Sequence, residues 1–428
     1  VEDTSVLELV DSVTVRAKGN GQTVLRFSSA GLPVEQVASV SQVPDTIVVS
    51  FADTLPIFVL GQGSQIPLTC QARDRNGYPI AREPTVAPSS SGRWSGSTCH
   101  DLRAQRSGLD TLRVSYGPLS ISRPVALAVR ATVSLSTDII LQTGGDQIGD
   151  PWAPSADTAP DGTIELYFGN YVYDSSYGAN RANLVRLLSS DGLHFQYDTL
   201  ILPYGSDVNA DDGRGIENAV VFADSGGSGW RMLYAGGNQT SGWQVFGATS
   251  TDRTRWVKTG PVIGNGHPAT LKPAGEGLLV DRLSGGTWRL VMGAYEPTPN
   301  GVDSFSITEW HSADQSQWSF VRTLVSAINM PPTGNRVVYS PAIRQIGPSM
   351  WRMVFTADNF SQGAFVGGTS SIWSAVSSDF EHWQLEGVFL SQPGANLMYS
   401  ALARDNIYLV RRGVDGLNHL ATATVQMP

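Results

Sequence analysis

Hydrophobic and polar positions alternate over short stretches of five to nine residues, broken by Gly, Asn, Asp and Ser. That period of two, with turn residues between, predicts strands throughout and no long helix. From about residue 137 the pattern repeats. Ser-x-Asp-x-x-x-aromatic occurs at Ser189/Asp191/Phe195, Ser250/Asp252/Trp256, Ser312/Asp314/Trp318 and Ser377/Asp379/Trp383, at steps of 61, 62 and 65 residues. A second element keeps phase with it: Trp230-Arg231, Trp288-Arg289 and Trp351-Arg352, each followed by three apolar or aromatic residues. A third opens each unit: Ala153-Pro154-Ser155, Glu217-Asn218-Ala219, His267-Pro268-Ala269, Ser340-Pro341-Ala342 and Ser400-Ala401-Leu402. A repeat of about 60 residues holding four strands is the grammar of a propeller blade. Five openings predict five blades over 137–428. The last unit is short, and Asp138 to Gln142 could supply its missing outer strand and close the ring.

Residues 1–136 follow another pattern. Thr46–Val49, Gln65–Cys70 and Asp110–Val114 read as strands at sandwich spacing, with Asn76-Gly77 at a hairpin position. Residues 43–136 resemble a bacterial immunoglobulin-like β-sandwich in the order of strand, Arg73-Asp74-Arg75-Asn76-Gly77, Pro-rich stretch, Ser-rich stretch and Gly108-Leu109-Asp110-Thr111. Residues 1–42 read as a partial sandwich, or as strands that pair with a neighbour, with Gly19 to Val24 as its final hairpin. The predicted fold class is therefore all-β: a five-bladed propeller behind an N-terminal sandwich.

Composition narrows the function. Charged residues are only 16% of the 428, and 45 Gly and 24 Pro exclude a helical bundle. Eleven Trp, 14 Phe and 13 Tyr argue against disorder. The net charge of −9, with three lysines (Lys18, Lys258, Lys272) and no basic run, argues against a nucleic-acid partner. No stretch approaches 18 apolar residues, so no membrane span is expected. The Val-Glu-Asp start, with no initiator Met, reads as a processed mature chain or a trimmed one. Cys70 and Cys99 fit either one disulfide in an oxidising compartment or two buried thiols, since spacing cannot prove pairing. Nucleophile-elbow, Walker A, His-Glu-x-x-His and Cys-x-x-Cys motifs are all missing, so neither a metal nor another cofactor is expected.

Candidate chemistry lies at the blade openings, whose inner strands converge on a central channel. Asp150-Pro151-Trp152 opens the first unit, Asp211 to Glu217 the second, His267 the third, Tyr339-Ser340 and Tyr399-Ser400 the last two. With the Asp-Pro on the first inner strand and the Ser-x-Asp turns, the last 290 or so residues resemble the arabinanase and invertase type of propeller, glycoside hydrolase families 43 and 32. The resemblance implies a blade-one Asp as base or nucleophile, matched by Asp150. It implies an acid Glu on a later inner strand, for which Glu217 is the candidate. Family 43 carries that Glu on blade three, where the repeat pattern here offers His267. Asp212 is the candidate for a third, modulating carboxylate. Trp152, Tyr339 and Tyr399 could stack on sugar faces, and Arg214, His267 and Asp212 could bind substrate. The competing structural reading is an Asp-Pro turn start and a channel Glu paired with Arg214 or Arg336. The Ser-x-Asp repeats read as turn scaffolding, because a site is singular and the motif recurs. The expectation is a secreted carbohydrate-active propeller that acts on or binds a polysaccharide or cell-surface glycan. The alternative is a non-catalytic extracytoplasmic subunit with a protein partner at residues 1–42.

Overall fold

The computed structural model describes residues 1–426 apart from 13, 30–31, 52–56, 210, 228, 241, 265–266, 296–303, 328–329, 331–336, 359, 362–363 and 366–369. Arg336 thus lies outside the described residues. Among these the protein is all-β, with one short 3-10 turn at Gly145–Gln147. No described helix is long and apolar enough to cross a membrane. The chain divides into two compact units, one built on Val1–Arg130 and the other on Ala131–Gln345 and the strands that follow.

In the first unit, Pro44–Phe51 pairs antiparallel with Leu68–Asp74. A second sheet runs in the order Phe58–Leu60, Leu119–Val129, Gly108–Tyr116, Thr85–Val86. Strict alternation puts Leu68, Cys70 and Ala72 inside and Thr69 outside. Leu68 and Cys70 meet Leu112, Val114, Val125 and Leu127 of the other sheet around Trp94 and Leu102. Cys70 and Cys99 form a disulfide within this core, Cα atoms 5.8 Å apart. Cys99 sits in a turn rather than a strand. Closing a loop with a separation of 29 residues, the bridge should contribute roughly 3–4 kcal/mol. Calorimetry on the Cys70→Ala/Cys99→Ala double variant should show the transition of this unit falling by that amount, with no loss in the other unit.

Residues 1–42 form two hairpins, Leu7–Leu9 with Val15–Ala17 and Gly21–Ser29 with Leu32–Val40. Gly19 and Asn20 therefore precede a long strand instead of turning a hairpin. Phe27, Val34 and Leu32 share one face of the longer hairpin and are 50%, 49% and 70% exposed.

In the second unit the strands form five antiparallel meanders among the described residues. The first runs from Asp150–Thr158 through Ile164–Asp174 and Ala179–Ser189 to His194–Leu202. The second, third and fourth begin at Gly215–Ala223, Lys272–Arg282 and Val337–Gly347. The fifth holds only Asn396–Ala403, Asn406–Arg412 and Asn418–Gln426, and Thr132–Asp138 completes it by pairing antiparallel with Asn418–Gln426. The closing strand is thus six residues earlier than the sequence pattern suggests, because Val133 and Leu135 pack into the core of this sheet. Ile140–Thr143 instead lies parallel to His194–Leu202, covering the edge of the first meander.

The Ser-x-Asp repeats occupy equivalent turns. Asp191 Oδ1 accepts the N–H groups of Leu193 and His194, each at 2.9 Å, while Ser189 Oγ accepts that of Gly192 at 2.8 Å. Asp252, Asp314 and Asp379 bind their own second and third following N–H groups in the same way. The residue after each Asp takes a left-handed conformation: Gly192, Arg253, Gln315 and Phe380. These bonds hold a conformation that non-glycine residues resist. The aromatic that ends each motif packs inward, with Phe195 and Trp318 fully buried.

Candidate active site

Each inner strand carries a left-handed residue at the same place: Ala153, Asn218, Gly277, Ser340 and Tyr399, with φ of 50°, 51°, 72°, 55° and 56°. In four of these strands the pairing register slips there, as a β-bulge does. A bulge breaks the in–out alternation and re-aims a side chain. Trp152, Glu217, Glu276 and Tyr339 immediately precede the bend, and Tyr399 occupies it. At Gly277 nothing larger fits, since a Cβ would collide with the backbone of Ser340 on the next meander.

The re-aimed side chains line one cavity of about 470 Å³. Its wall includes Asp150, Glu217 and Glu276, the aromatics Trp152, Tyr171, Trp243, Phe305, Tyr339 and Tyr399, and the cations Arg214 and Arg412. Six of the eight residues singled out from the sequence therefore meet here: Asp150, Trp152, Arg214, Glu217, Tyr339 and Tyr399. The other two do not. Asp212 is buried among the strands of the second meander, accepting the Tyr234 hydroxyl at 3.0 Å and pairing with Lys258 at 2.6 Å. His267 lies off the strands, with its Nδ1 3.1 Å from the Pro268 carbonyl and its ring 5.8 Å from Trp310.

Glu276 is the residue the sequence pattern passes over. His267-Pro268-Ala269 imitates the Pro-Ala openings of the other units, but it precedes Trp288 by 21 residues. Glu217 precedes Trp230 by 13, and Tyr339 precedes Trp351 by 12. Glu276 precedes Trp288 by 12, so the spacing to the Trp-Arg strand carried the signal.

The electrostatics follow from enclosure. Glu217 is 3% exposed, and its carboxyl is pushed well above the ordinary range by burial and by the nearby Glu276 charge. The Tyr171 hydroxyl donates to Glu217 Oε1, and Arg214 also favours its charged form. Glu276 is raised by burial as well, opposed only by the Asn218 amide at 3.5 Å. Two carboxylates this close titrate as a pair. Tyr171 and Arg214 favour a charged Glu217 and the Asn218 amide a charged Glu276, while the Glu276 charge pushes Glu217 up, so near neutrality the two share a retained proton. Asp150 sits at an exposed rim position, nudged upward by partial burial and held back by Asn418 and Arg412. Among the described residues none of the three carboxylates is locked in an ion pair. Arg214 and Arg412 act on them at longer range.

The aromatic wall differs from the expected stacking platforms. Tyr399 meets Trp152 at 5.3 Å and Tyr339 at 5.1 Å, both edge to face, and each tyrosine is 3% exposed. The two rings serve as floor, packed on each other. Trp152 and Trp243 keep more open faces.

No family model and no curated protein matches the sequence. Solved structures do. One described as a complex of BT0996 and RGII aligns with a TM-score of 0.51 at 12% identity, over 70% of this protein and 93% of that one. A glycoside hydrolase gives 0.50 at 11%, over 70% and 93%. A thermostable family-43 glycoside hydrolase gives 0.50 at 12%, over 66% and 90%. The fold is that of the β-propeller glycoside hydrolases. At these identities the likeness speaks for the fold alone.

Proposed function

We propose that the protein is an extracytoplasmic, carbohydrate-active five-bladed propeller, preceded by an immunoglobulin-like sandwich, that cleaves glycosidic bonds at this cavity. One observation carries the reading: three carboxylates, from the inner strands of three successive meanders, converge on a single aromatic-walled cavity without ion-pair partners among the described residues. Fold likeness to glycoside hydrolases and the buried disulfide support it.

In this reading Glu276 is the general acid. It gives its proton to the glycosidic oxygen as the C–O bond breaks and the bonding electrons leave with that oxygen. Asp150, ionised and solvent-facing, either removes a proton from the attacking water or attacks the anomeric carbon itself. Glu217 does not transfer a proton. In the proposed assignment Glu217, favoured in its charged form by Tyr171 and Arg214, carries the negative charge of the pair and Glu276 its proton. Trp152 offers an apolar face to a sugar ring.

The test is a glycan and aryl-glycoside screen with wild-type protein and Asp150→Asn. Turnover by the wild type, reduced at least 10²-fold in the variant at unchanged thermal stability, is expected. Turnover unaffected by the substitution would remove Asp150 from the chemistry, and no turnover across the panel would favour a non-catalytic subunit. That second reading draws on the exposed apolar face of Phe27, Leu32 and Val34, which suits a protein partner.

A further inference from the structure

Arg214 and Arg412 both line the cavity and are both exposed. Neither makes an ion pair among the described residues. Arg412 Nε donates to the Gly416 carbonyl at 3.1 Å. Several other arginines of the unit are paired, Arg181 with Asp174 at 2.8 Å, Arg186 with Asp198 at 2.6 Å, Arg231 with Asp224 and Arg352 with Glu386 at 2.7 Å, while Arg404 bonds only carbonyl oxygens among the described residues. The contrast is sharpest within one strand. Arg411 pairs with Asp138 at 2.7 Å, while its neighbour Arg412, pointing to the opposite face, reaches the cavity.

Arg214 has a second distinguishing feature. Its backbone N–H donates to the Gly237 carbonyl at 2.7 Å, and Gly237 lies opposite Trp243 in the strand register. A Cβ on Gly237 would come within 3.0–3.1 Å of the indole, so the bare glycine lets Trp243 lie against the backbone. A flat aromatic wall and an unpaired guanidinium therefore sit side by side on one blade.

The charge count does not oppose an anionic guest. The two glutamates hold one proton between them and so carry one negative charge, and Asp150 carries another. The two guanidiniums balance these, which makes the cavity neutral in a protein of net charge −9. A guanidinium matches a carboxylate with two parallel hydrogen bonds, a geometry that a hydroxyl cannot copy.

We infer that the cavity recognises a uronate-containing glycan, with the sugar face on Trp243 and its carboxylate received by Arg214, and with Arg412 as the second cation. The inference deepens the hydrolase reading and rests on it for the site, but recognition and cleavage can be measured apart.

The experiment is calorimetric titration of Glu276→Gln protein with uronic-acid oligosaccharides and with the same oligosaccharides carboxyl-reduced to neutral sugars, while wild-type turnover of both is followed. The acid forms should bind at least tenfold more tightly at low salt, with a preference that shrinks as ionic strength rises. Arg214→Gln and Arg412→Gln should each cut the preference several-fold, with the fold checked by circular dichroism. Equal or tighter binding of the reduced sugars, a preference indifferent to both substitutions, or no binding of either set would overturn the inference. Cleavage of neutral glycans without acid preference sinks only this inference. Selective binding of uronates without cleavage sinks only the hydrolase reading.

Discussion

Replacing Glu276 by Gln should lower kcat on an unactivated glycoside by 10²–10⁴-fold, the range for loss of a positioned acid. The loss should depend on the leaving group. A dinitrophenolate departs without help from a proton, so on such aryl glycosides the Glu276→Gln penalty should shrink towards unity. Asp150→Asn should show no such rescue, because the base or nucleophile is needed whatever departs. Glu217→Gln separates the third role. It removes the charge that holds up the Glu276 pKa, so the alkaline limb of the kcat profile should move to lower pH. A Glu276→Gln penalty that is the same for good and poor leaving groups would exclude Glu276 as the acid. If Glu217→Gln instead shows the leaving-group dependence, the two glutamates exchange roles.

How much of this was legible depends on the range of the interaction. The Ser-x-Asp turns could be read because every bond in them joins residues at most three apart. The Trp-Arg strands were legible as strands, but their arginines answer to partners fixed by pairing. Arg352 ends up 2% exposed against Glu386, 34 residues away in sequence. Asp212 looked like a channel carboxylate by its nearness to Glu217. Its true partners, Tyr234 and Lys258, are supplied by the second and fourth strands of its own meander. Glu276 was hidden by two glycines. Gly275 and Gly277 are both left-handed, and the register slips on either side of Glu276, so the strand shows no clean alternation there. The bulge that aims the side chain is what erased its signature. Tyr339 and Tyr399 were legible as lining residues, while their engagement with each other depends on neighbouring inner strands that only the closed ring brings together.

The same glutamate pair should make the protein lose stability as pH rises through neutrality. A carboxyl whose folded pKa is raised binds its proton more tightly in the folded state than in the unfolded one. Its contribution is fully present below the ordinary value of 4.5 and is lost as pH climbs through about 7 and 8, the values to which Glu276 and Glu217 are pushed. A tenfold change in proton affinity is worth about 1.4 kcal/mol, so a loss on the order of several kcal/mol between pH 5 and 9 is expected. The turn aspartates run the other way. Asp191, Asp252 and Asp314 are held below their ordinary values by backbone N–H bonds, so their contribution is present above pH 4 and is lost on acidification. Stability should therefore peak near pH 5, with separate causes for the two flanks. His382, raised by its bond to Asp379, also loses stabilisation as pH rises, but it is exposed and remains in any cavity variant. Glu217→Gln leaves one buried carboxyl without a charged neighbour. Denaturant titrations of this variant should show an alkaline flank flattened by at least half while the acid flank is unchanged. An alkaline flank as steep in Glu217→Gln as in the wild type would mean that the pair does not share a retained proton, and the assignment of Glu276 as an acid poised near neutrality would fall with it.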